Sequence, residues 1–364
     1  MNGYSASRIS LGSRRDTERM DALLAREGLK RDANLDYAVG VYDGGGALIA
    51  AGGCSANTIR CVAVDRAHQG EGLLGTVVSR ILEHLAGEGM THAFLYTKPE
   101  SARYFRDLGF HEIASGLDLV VFMENRRDGF PGYVRELSTS RRDGACSALV
   151  MNCNPFTLGH RYLVERAAGE SDFVHIFAVS EDASLFPAAD RYKMIERGVS
   201  GLRGVALHRT GSYMVSSAVF PSYFLGDDES AVAAQAYLDV RIFEKIAPAL
   251  NVTRRYAGTE PFSRVTALYN SAMRSELPKA GIEFTEVPRA ELDGAPISAS
   301  RVRRAIKEGD MDAVQRMTPQ STYDYLLSER GGEVVRRIRE AGSKSGGPDS
   351  AGRCPAPARG LESP

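Results

Sequence analysis

The chain has 364 residues, 43% hydrophobic and 25% charged, with 45 Lys and Arg against 46 Asp and Glu and a formal net charge of −1. This is the balance of a soluble globular protein of about two domains, and it supplies no overall positive field to hold nucleic acid. No apolar run reaches the roughly 18 residues that a membrane-crossing helix needs, and the opening stretch MNGYSASRISLGSRRDTERM has no secretion-signal core.

In chain order, TERMDALLAREG (17–28) has helical spacing. YAVGVYD (37–43) and ALIAAGGC (47–54) read as strands joined by a turn at Gly44-Gly45-Gly46, and TIRCVAVD (58–65) as a third. LLGTVVSRILEHLAGEG (73–89) is an amphipathic helix closing on glycine. HAFLYT (92–97) is a further strand, ESARYFRDLGF (100–110) a short helix ending at Gly109, and one more strand follows. The segment 124–145, ENRRDGFPGYVRELSTSRRDGA, is charged and holds turn-forming Gly and Pro. It reads as a boundary, giving a first domain at 1–130, a linker at 131–145 and a second domain at 146–335.

Beyond the boundary, strands and helices alternate, which predicts an α/β domain with a parallel sheet covered on both faces. The strands are CSALVMNC (146–153), DFVHIFAVS (172–180), GVALHRT (204–210), TRRYAGTE (253–260) and IEFTEVP (282–288). Helices are expected near 158–169, 189–199, 229–247, 263–275 and 300–308, with one or two more before 330. The Gly-, Ser- and Pro-rich stretch 342–364 reads as a disordered tail. Of the five cysteines, Cys54, Cys61, Cys146 and Cys153 sit in or beside apolar runs and Cys354 in the tail, with no CxxC pair and no zinc spacing. Reduced thiols of a cytoplasmic protein are the expectation.

Ligands of such sheets bind at the carboxyl ends of the strands. There NCNPFTLGH (152–160) breaks the first strand at Asn154-Pro155, and Thr157 is placed to cap a helix. Gly159 would let a ligand approach the backbone, the helix N-terminus favours a phosphate, and His160 can donate to it. An ordinary capped helix with an incidental histidine is an equally good reading of these residues alone. PISASRVRRAIKEGD (296–310) supplies a second helix start, with Ser298 and Ser300 as caps and Arg301, Arg303 and Arg304 on the first turns. A capped basic surface helix would look the same. Two such platforms in one domain suit a triphosphate whose α-phosphate is attacked.

Thr157-x-Gly159-His160 with Ser298-x-Ser300-x-x-Arg303 resembles the nucleotidylyltransferase superfamily, which implies a Rossmann-like sheet, ATP and Mg²⁺. The longer blocks FPAADR (186–191), FPSYF (220–224), AGTEPFSRVTALYN (257–270) and PISASRVR (296–303) resemble the citrate lyase ligases, from about residue 30 to 330. The resemblance implies activation of acetate as acetyl-adenylate with release of pyrophosphate. It further implies transfer of the acetyl group to the phosphoribosyl-dephospho-coenzyme A thiol of the citrate lyase acyl carrier protein, with release of AMP. His160, Arg303 and Thr157 are then the catalytic candidates. Asn154, Phe156, Gly159, Gly258, Glu260, Ser298, Ser300 and Arg191 are the nucleotide-binding ones. A structural role for Arg191 and a loop-backbone role for Glu260 carry equal weight, and Arg264 suits a surface salt bridge better than a ligand.

In the first domain, VAVDRAHQGEGLLGTVVSRIL (62–82) resembles the pyrophosphate-binding turn of the GCN5-related acetyltransferases (the GNAT family), through Gln69 and Gly72. This implies an α+β acetyltransferase-like domain with a coenzyme A-like site at Gln69, Gly70, Gly72 and Leu73. Leu74 stands where that pattern has Gly or Ala. Phe105 stands where that family's catalytic tyrosine lies four residues before the glycine of Gly109-Phe110, with Tyr104 one residue off. A domain that holds a coenzyme A-like arm without transferring acetyl is one expectation, and a scaffold or docking domain is the other. For the whole chain, the alternatives to a ligase are an active acetyltransferase fused to a small-nucleotide adenylyltransferase, and a non-catalytic acyl-carrier or coenzyme A sensor.

Overall fold

The computed structural model describes residues 3–180, 184–214, 220, 228–259 and 264–343. Strands β1 (Ser5–Arg8), β2 (Tyr37–Tyr42), β3 (Leu48–Ser55), β4 (Thr58–Val64), β5 (Phe94–Thr97), β6 (His111–Gly116) and β7 (Val120–Glu124) form one sheet in the order β1-β2-β3-β4-β5-β7-β6. Neighbours run antiparallel except β4 and β5, which are parallel. Helices α1 (Arg14–Arg26), α2 (Leu73–Gly87) and α3 (Ala102–Asp107) belong to this part of the chain. The Ser13 hydroxyl caps α1 by accepting from the Asp16 N–H, and the helix buries Met20, Leu23 and Leu24, spaced to share one face. The apolar stripe of α2, Val77, Val78, Ile81 and Leu85, packs with Val39, Ile49 and Leu95 of the sheet.

Strands β4 and β5 pair only at Thr58–Phe94 and Ile59–Leu95. Beyond that point β4 runs to Val64 and β5 to Thr97 without pairing to each other. The divergence opens a cleft of about 660 Å³, floored by both strands and rimmed by the start of α2 and by α3.

Helix α4 (Gly129–Ser138) lies in the stretch expected to be a linker, with Phe130 and Leu137 buried in the core. The charges and glycines of 124–145 masked this apolar pair, set seven residues apart on one face.

The second sheet holds β8 (Cys146–Met151), β9 (Phe173–Ala178), β10 (Val205–Arg209), β11 (Val252–Gly258) and β12 (Glu283–Val287), all parallel, in the order β10-β9-β8-β11-β12. Its helices are α5 (Leu158–Gly169), α6 (Ala188–Val199), α7 (Asp228–Ile246) and α8 (Arg264–Glu276). A two-stranded hairpin, β13 (Glu291–Leu292) and β14 (Ala295–Pro296), leads into α9 (Ala299–Glu308), α10 (Met311–Met317), α11 (Gln320–Leu327) and α12 (Glu329–Ser343). The order places the first strand, β8, at the centre, with the chain progressing outward on both sides. The crevice between β8 and β11 is therefore the topological switch point.

On one face Leu149, Ile176, Val164, Ile195, Val302, Ile306, Val314 and Leu326 form a core. On the other, α7 is packed between the two sheets. Its Leu238 and Ile242 share a cluster with Ile113 and Phe122 of the first sheet and Phe177 of the second. The two halves thus share a core. The expected end of the second domain at 335 and the tail from 342 both fall within α12, which Val334 and Ile338 anchor to the core at four-residue spacing. Residues 344–364, including Cys354, lie outside the described residues. The other four cysteines are free and buried, as expected.

Candidate functional site

Around the switch point, hydrogen bonds join the described parts of the loops after β8, β9, β11 and β12 to one another and to the start of α9. Thr157, the N-cap of α5, is extended, and its hydroxyl accepts from the His160 N–H at 3.3 Å. His160 returns the bond: its Nδ1 accepts from the Thr157 backbone N–H at 3.0 Å. A backbone N–H can only donate, so Nδ1 carries no proton and the neutral ring bears its proton on Nε2. Burial, and behind it the positive charge of Arg289, push the His160 pKa down to about 4. Near pH 7 His160 is therefore a fixed, neutral donor.

Ser298 repeats the arrangement, accepting from the Arg301 N–H at 3.2 Å to cap α9. A Cβ on Gly159 would lie 2.6 Å from the Ile297 carbonyl oxygen. The space that the sequence reading reserved for a ligand is filled by the backbone of the second motif, and glycine is required because the two loops touch. Arg303 closes the junction, with Nη1 donating to the Asn154 carbonyl at 2.5 Å and Nη2 to the Ser300 hydroxyl at 3.1 Å. Burial lowers its pKa. Thr157, Gly159, His160, Ser298, Ser300 and Arg303, which lie on two motifs far apart in sequence, are brought together.

Asn154 precedes a cis proline, and its side-chain oxygen accepts from the Phe186 N–H at 3.1 Å, tying the loop after β8 to the start of the FPAADR segment. Gly258 ends β11, and its carbonyl accepts from Asn270 at 3.0 Å. Other expected contacts are not arranged for a nucleotide. Phe156 is fully buried in the core, its ring centroid 5.8 Å from that of His160. Phe156 backs the histidine and offers no free face to a base. Arg191 is 1% exposed and donates to the carbonyls of Phe186 (3.0 Å), Asn152 (2.8 Å) and Val179 (2.9 Å). Its fork pins the loops after β8 and β9, which is the structural one of its two readings. Arg301 donates to the Ala295 and Pro296 carbonyls at 2.6 and 3.0 Å, holding the hairpin to α9, and Arg304 is exposed. Glu260, residues 221–224 of FPSYF and the side chain of Arg264 lie outside what is described.

Arg289, on the loop after β12, was not singled out in the sequence. Its Nε donates to the Thr259 carbonyl at 2.7 Å. The available signal was its position, two residues past a strand's carboxyl end in EVPRA.

Gln69, Gly70, Gly72 and Leu73, expected to hold a coenzyme A-like group, are among the residues that line the cleft of the first sheet. Gly70 and Gly72 lie in the left-handed region, at φ 86° and 77°, and a Cβ on either would meet nothing within 4 Å. Gly72 is the N-cap of α2, and no side chain caps that end. Phe105 is buried on the cleft wall beside Phe110, and Tyr104 sits exposed at the rim with its hydroxyl accepting from Arg103 at 2.6 Å. Among the described residues no three His, Cys, Asp or Glu side chains gather into a metal cage, and no helix is long and apolar enough to cross a membrane.

A family model described as the citrate lyase ligase C-terminal domain matches residues 146–326. The citrate (pro-3S)-lyase ligase of Klebsiella pneumoniae is 39% identical over 316 residues, covering 85% of this chain and 92% of the relative. The corresponding ligase of Escherichia coli K12 is 40% identical over 286 residues, covering 77% of this chain and 81% of the relative. That of Haemophilus influenzae is 35% identical over 314 residues, covering 84% and 94%. Among solved structures, a putative nicotinate-nucleotide adenylyltransferase from Vibrio parahaemolyticus covers 54% of this chain and 97% of its own, at 17% identity and a TM-score of 0.34. A putative acyl-CoA N-acyltransferase from Klebsiella pneumoniae covers 33% and 95%, at 17% identity and a TM-score of 0.29.

Proposed function

The chain belongs to the citrate lyase ligase family, and from that premise we propose that the site at the β8–β11 switch point activates acetate with ATP. A carboxylate oxygen of acetate attacks the α-phosphorus, and the bond to the leaving pyrophosphate breaks. The thiol of the prosthetic group on the citrate lyase acyl carrier protein, a phosphoribosyl-dephospho-coenzyme A, then attacks the acetyl carbonyl. The carbon–oxygen bond to AMP breaks, AMP leaves, and the sulfur gives up its proton. The product is the acetylated carrier that citrate lyase needs for activity, which makes the protein an AMP-forming acid–thiol ligase.

The observation that carries this reading is the joining of the two motifs by Arg303 and by the Gly159–Ile297 approach. On this reading a neutral Nε2–H donor, a guanidinium and two helix N-termini face one crevice. No side chain there needs to attack the nucleotide, so catalysis is alignment and stabilisation of charge as pyrophosphate departs. His160, Arg303 and the α5 start are the phosphate ligands, and Asn154, Gly258, Ser298 and Ser300 shape their surroundings. Mg²⁺ would arrive on the nucleotide's own phosphate oxygens, as this ion commonly does, and shield their charge. The four buried reduced thiols favour a cytoplasmic setting.

The cleft between β4 and β5 is assigned to the coenzyme A-like arm. Its glycine turn suits a diphosphate and its apolar floor the pantetheine chain. With Phe105 buried and the Tyr104 hydroxyl engaged at the rim, this cleft binds the arm without transferring acetyl itself. The domain division at 1–130 and 146–335 is retained as a functional division, with α4 as its connector.

The test is to incubate the protein with ATP, acetate and carrier protein and to follow pyrophosphate, AMP and carrier mass. Acetate-dependent release of both products with a 42 Da gain on the carrier is expected, the arithmetic of replacing a thiol hydrogen by acetyl. Pyrophosphate release that ignores acetate, with acetyl-coenzyme A turned over on an amine, would favour the fused acetyltransferase and adenylyltransferase instead.

A further inference from the structure

The block AGTEPFSRVTALYN runs from the end of β11 into α8, and its two ends touch. Asn270, 3% exposed on α8, donates from Nδ2 to the Gly258 carbonyl at 3.0 Å and to Glu286 Oε1 on β12 at 2.6 Å. Two acceptors on one side of the amide fix its orientation: the nitrogen faces them, and both its hydrogens are spent. The second oxygen of Glu286 accepts from Arg274, one turn further along α8. The amide is thus aimed by a carboxylate that is itself held.

Asn270 grips the last carbonyl of a strand that flanks the switch point. The backbone just beyond is tied as well. The Thr259 N–H donates to the Val287 carbonyl at 2.9 Å, and the Thr259 carbonyl accepts from Arg289 Nε at 2.7 Å. The residue after Arg289, Ala290, accepts from the Ile297 N–H at 2.8 Å, and the Ile297 carbonyl abuts Gly159 at the start of α5. One path of hydrogen bonds and chain therefore runs from Asn270 to both phosphate motifs. Adhesion of α8 to the rest of the fold is already supplied by Ala272 and Met273, which are buried in the shared core. A buried amide with both hydrogens committed adds direction to that adhesion.

Resting on the adenylation reading above, we infer that Asn270 is a positioning residue for adenylate formation, acting through the Gly258 carbonyl. The clasp fixes where β11 ends and, along the path to Ile297, where the second motif meets the first. Without a donor at position 270 the strand end shifts, and the phosphate donors lose their register although each of them remains.

The experiment compares wild type, Asn270→Asp and the double variant Asn270→Asp with Glu286→Gln in the full chain. Asn270→Asp removes both donated hydrogens at nearly constant volume. In the double variant the glutamine amide donates to the new carboxylate, so the tie between α8 and β12 returns with its direction reversed, while Gly258 still lacks a donor. Acetate-dependent ATP–pyrophosphate exchange is measured per folded protein, beside the melting temperature. A misplacement of about 1 Å can cost about 10²-fold in rate, and exchange is expected to fall by about that factor in both variants, more in kcat than in the KM for ATP. The melting temperature should drop in Asn270→Asp and recover in the double variant. Coenzyme A analogues should bind both variants as they bind wild type. Exchange that recovers together with the melting temperature in the double variant would reduce Asn270 to a helix tie and overturn the inference. So would exchange at the wild-type rate in Asn270→Asp. Where Asn270→Asp does not fold, the double variant decides alone: low exchange in folded protein supports the inference, and wild-type exchange overturns it. Failure of the parent reading looks different: wild type itself then shows no acetate-dependent exchange.

Discussion

Helices α2 and α5 both begin at the rim of a cleft, but they begin with opposite chemistry. Helix α2 starts at Gly72, in the left-handed region and with no side-chain cap. Helix α5 starts at Thr157, whose hydroxyl and backbone N–H are both engaged by His160. An uncapped start leaves its first N–H groups to solvent or to a ligand. A closed capping box satisfies two of them internally, those of Thr157 and His160, and fixes the His160 ring beside the rest. The first arrangement suits a passive grip on a diphosphate that does not react. The second gives a donor with fixed tautomer and direction, which a reacting phosphate requires. On the proposed function, the difference separates holding from chemistry within one chain.

The largest expected effect comes from removing the outward donor. His160→Ala should cost about 3 kcal/mol of transition-state stabilisation, or 10²–10³-fold in adenylate formation, while coenzyme A analogues bind the other cleft unchanged. Steady-state exchange and a binding titration check the two halves of that statement. Wild-type-like exchange in the variant would break the comparison at its stronger end.

Next is Gly159→Ala. The added Cβ meets a carbonyl oxygen at 2.6 Å, so one of the two loops must move. Overpacking of this kind costs about 1–3 kcal/mol of stability, read as a lower denaturant midpoint. Exchange should fall by more than the loss of folded protein explains, because the motifs separate.

Gly72→Asp then tests the open helix start. Aspartate tolerates the left-handed region better than most residues, and it sets a carboxylate over the N–H groups meant for a diphosphate. Affinity for coenzyme A analogues should drop about tenfold or more, since a like charge replaces an attractive dipole. Acetate-dependent exchange should stay at the wild-type rate.

The smallest effect is on stability against pH. His160, His175 and His208 all have pKa values pushed down to about 4, each chiefly by burial. A histidine whose folded value lies below its unfolded one binds more protons unfolded, so its contribution to stability is complete above about pH 6.5 and declines as pH falls toward 4. His175 on β9 and His208 on β10 face each other at 2.9 Å in the parallel-sheet half. Denaturant midpoints at pH 7 and pH 5 should therefore differ, the latter lower. A flat profile across that window would contradict the burial of these rings.

Much of this arrangement was legible in the sequence, for identifiable reasons. The β8–α5 turn announced itself because Thr157 caps and Asn154-Pro155 breaks a strand within a few residues. Strands β8 and β9 are nearly continuous apolar runs bounded by turn residues. Less visible were features that depend on neighbours distant in sequence. Helix α4 rests on an apolar pair hidden among charges, and β1 has every residue exposed in SASR, so no apolar pattern marks it. Arg191 and Phe156 have residue types that suit a nucleotide, but burial commits one to three loop carbonyls and the other to the core. Gly159 was assigned close approach to a ligand, and the neighbour at its Cβ position is the Ile297 carbonyl, distant in sequence. Arg289 has no motif around it, and its bond to the Thr259 carbonyl joins residues thirty apart in sequence.

On the proposed function, the parallel-sheet crevice forms the adenylate and the β4–β5 cleft presents the thiol. The most direct test measures acetate-dependent ATP–pyrophosphate exchange and carrier acetylation side by side in His160→Ala and Gly72→Asp. The predicted result is that His160→Ala loses both, whereas Gly72→Asp keeps exchange and loses carrier acetylation. Exchange surviving in His160→Ala, or both activities falling together in Gly72→Asp, would contradict it.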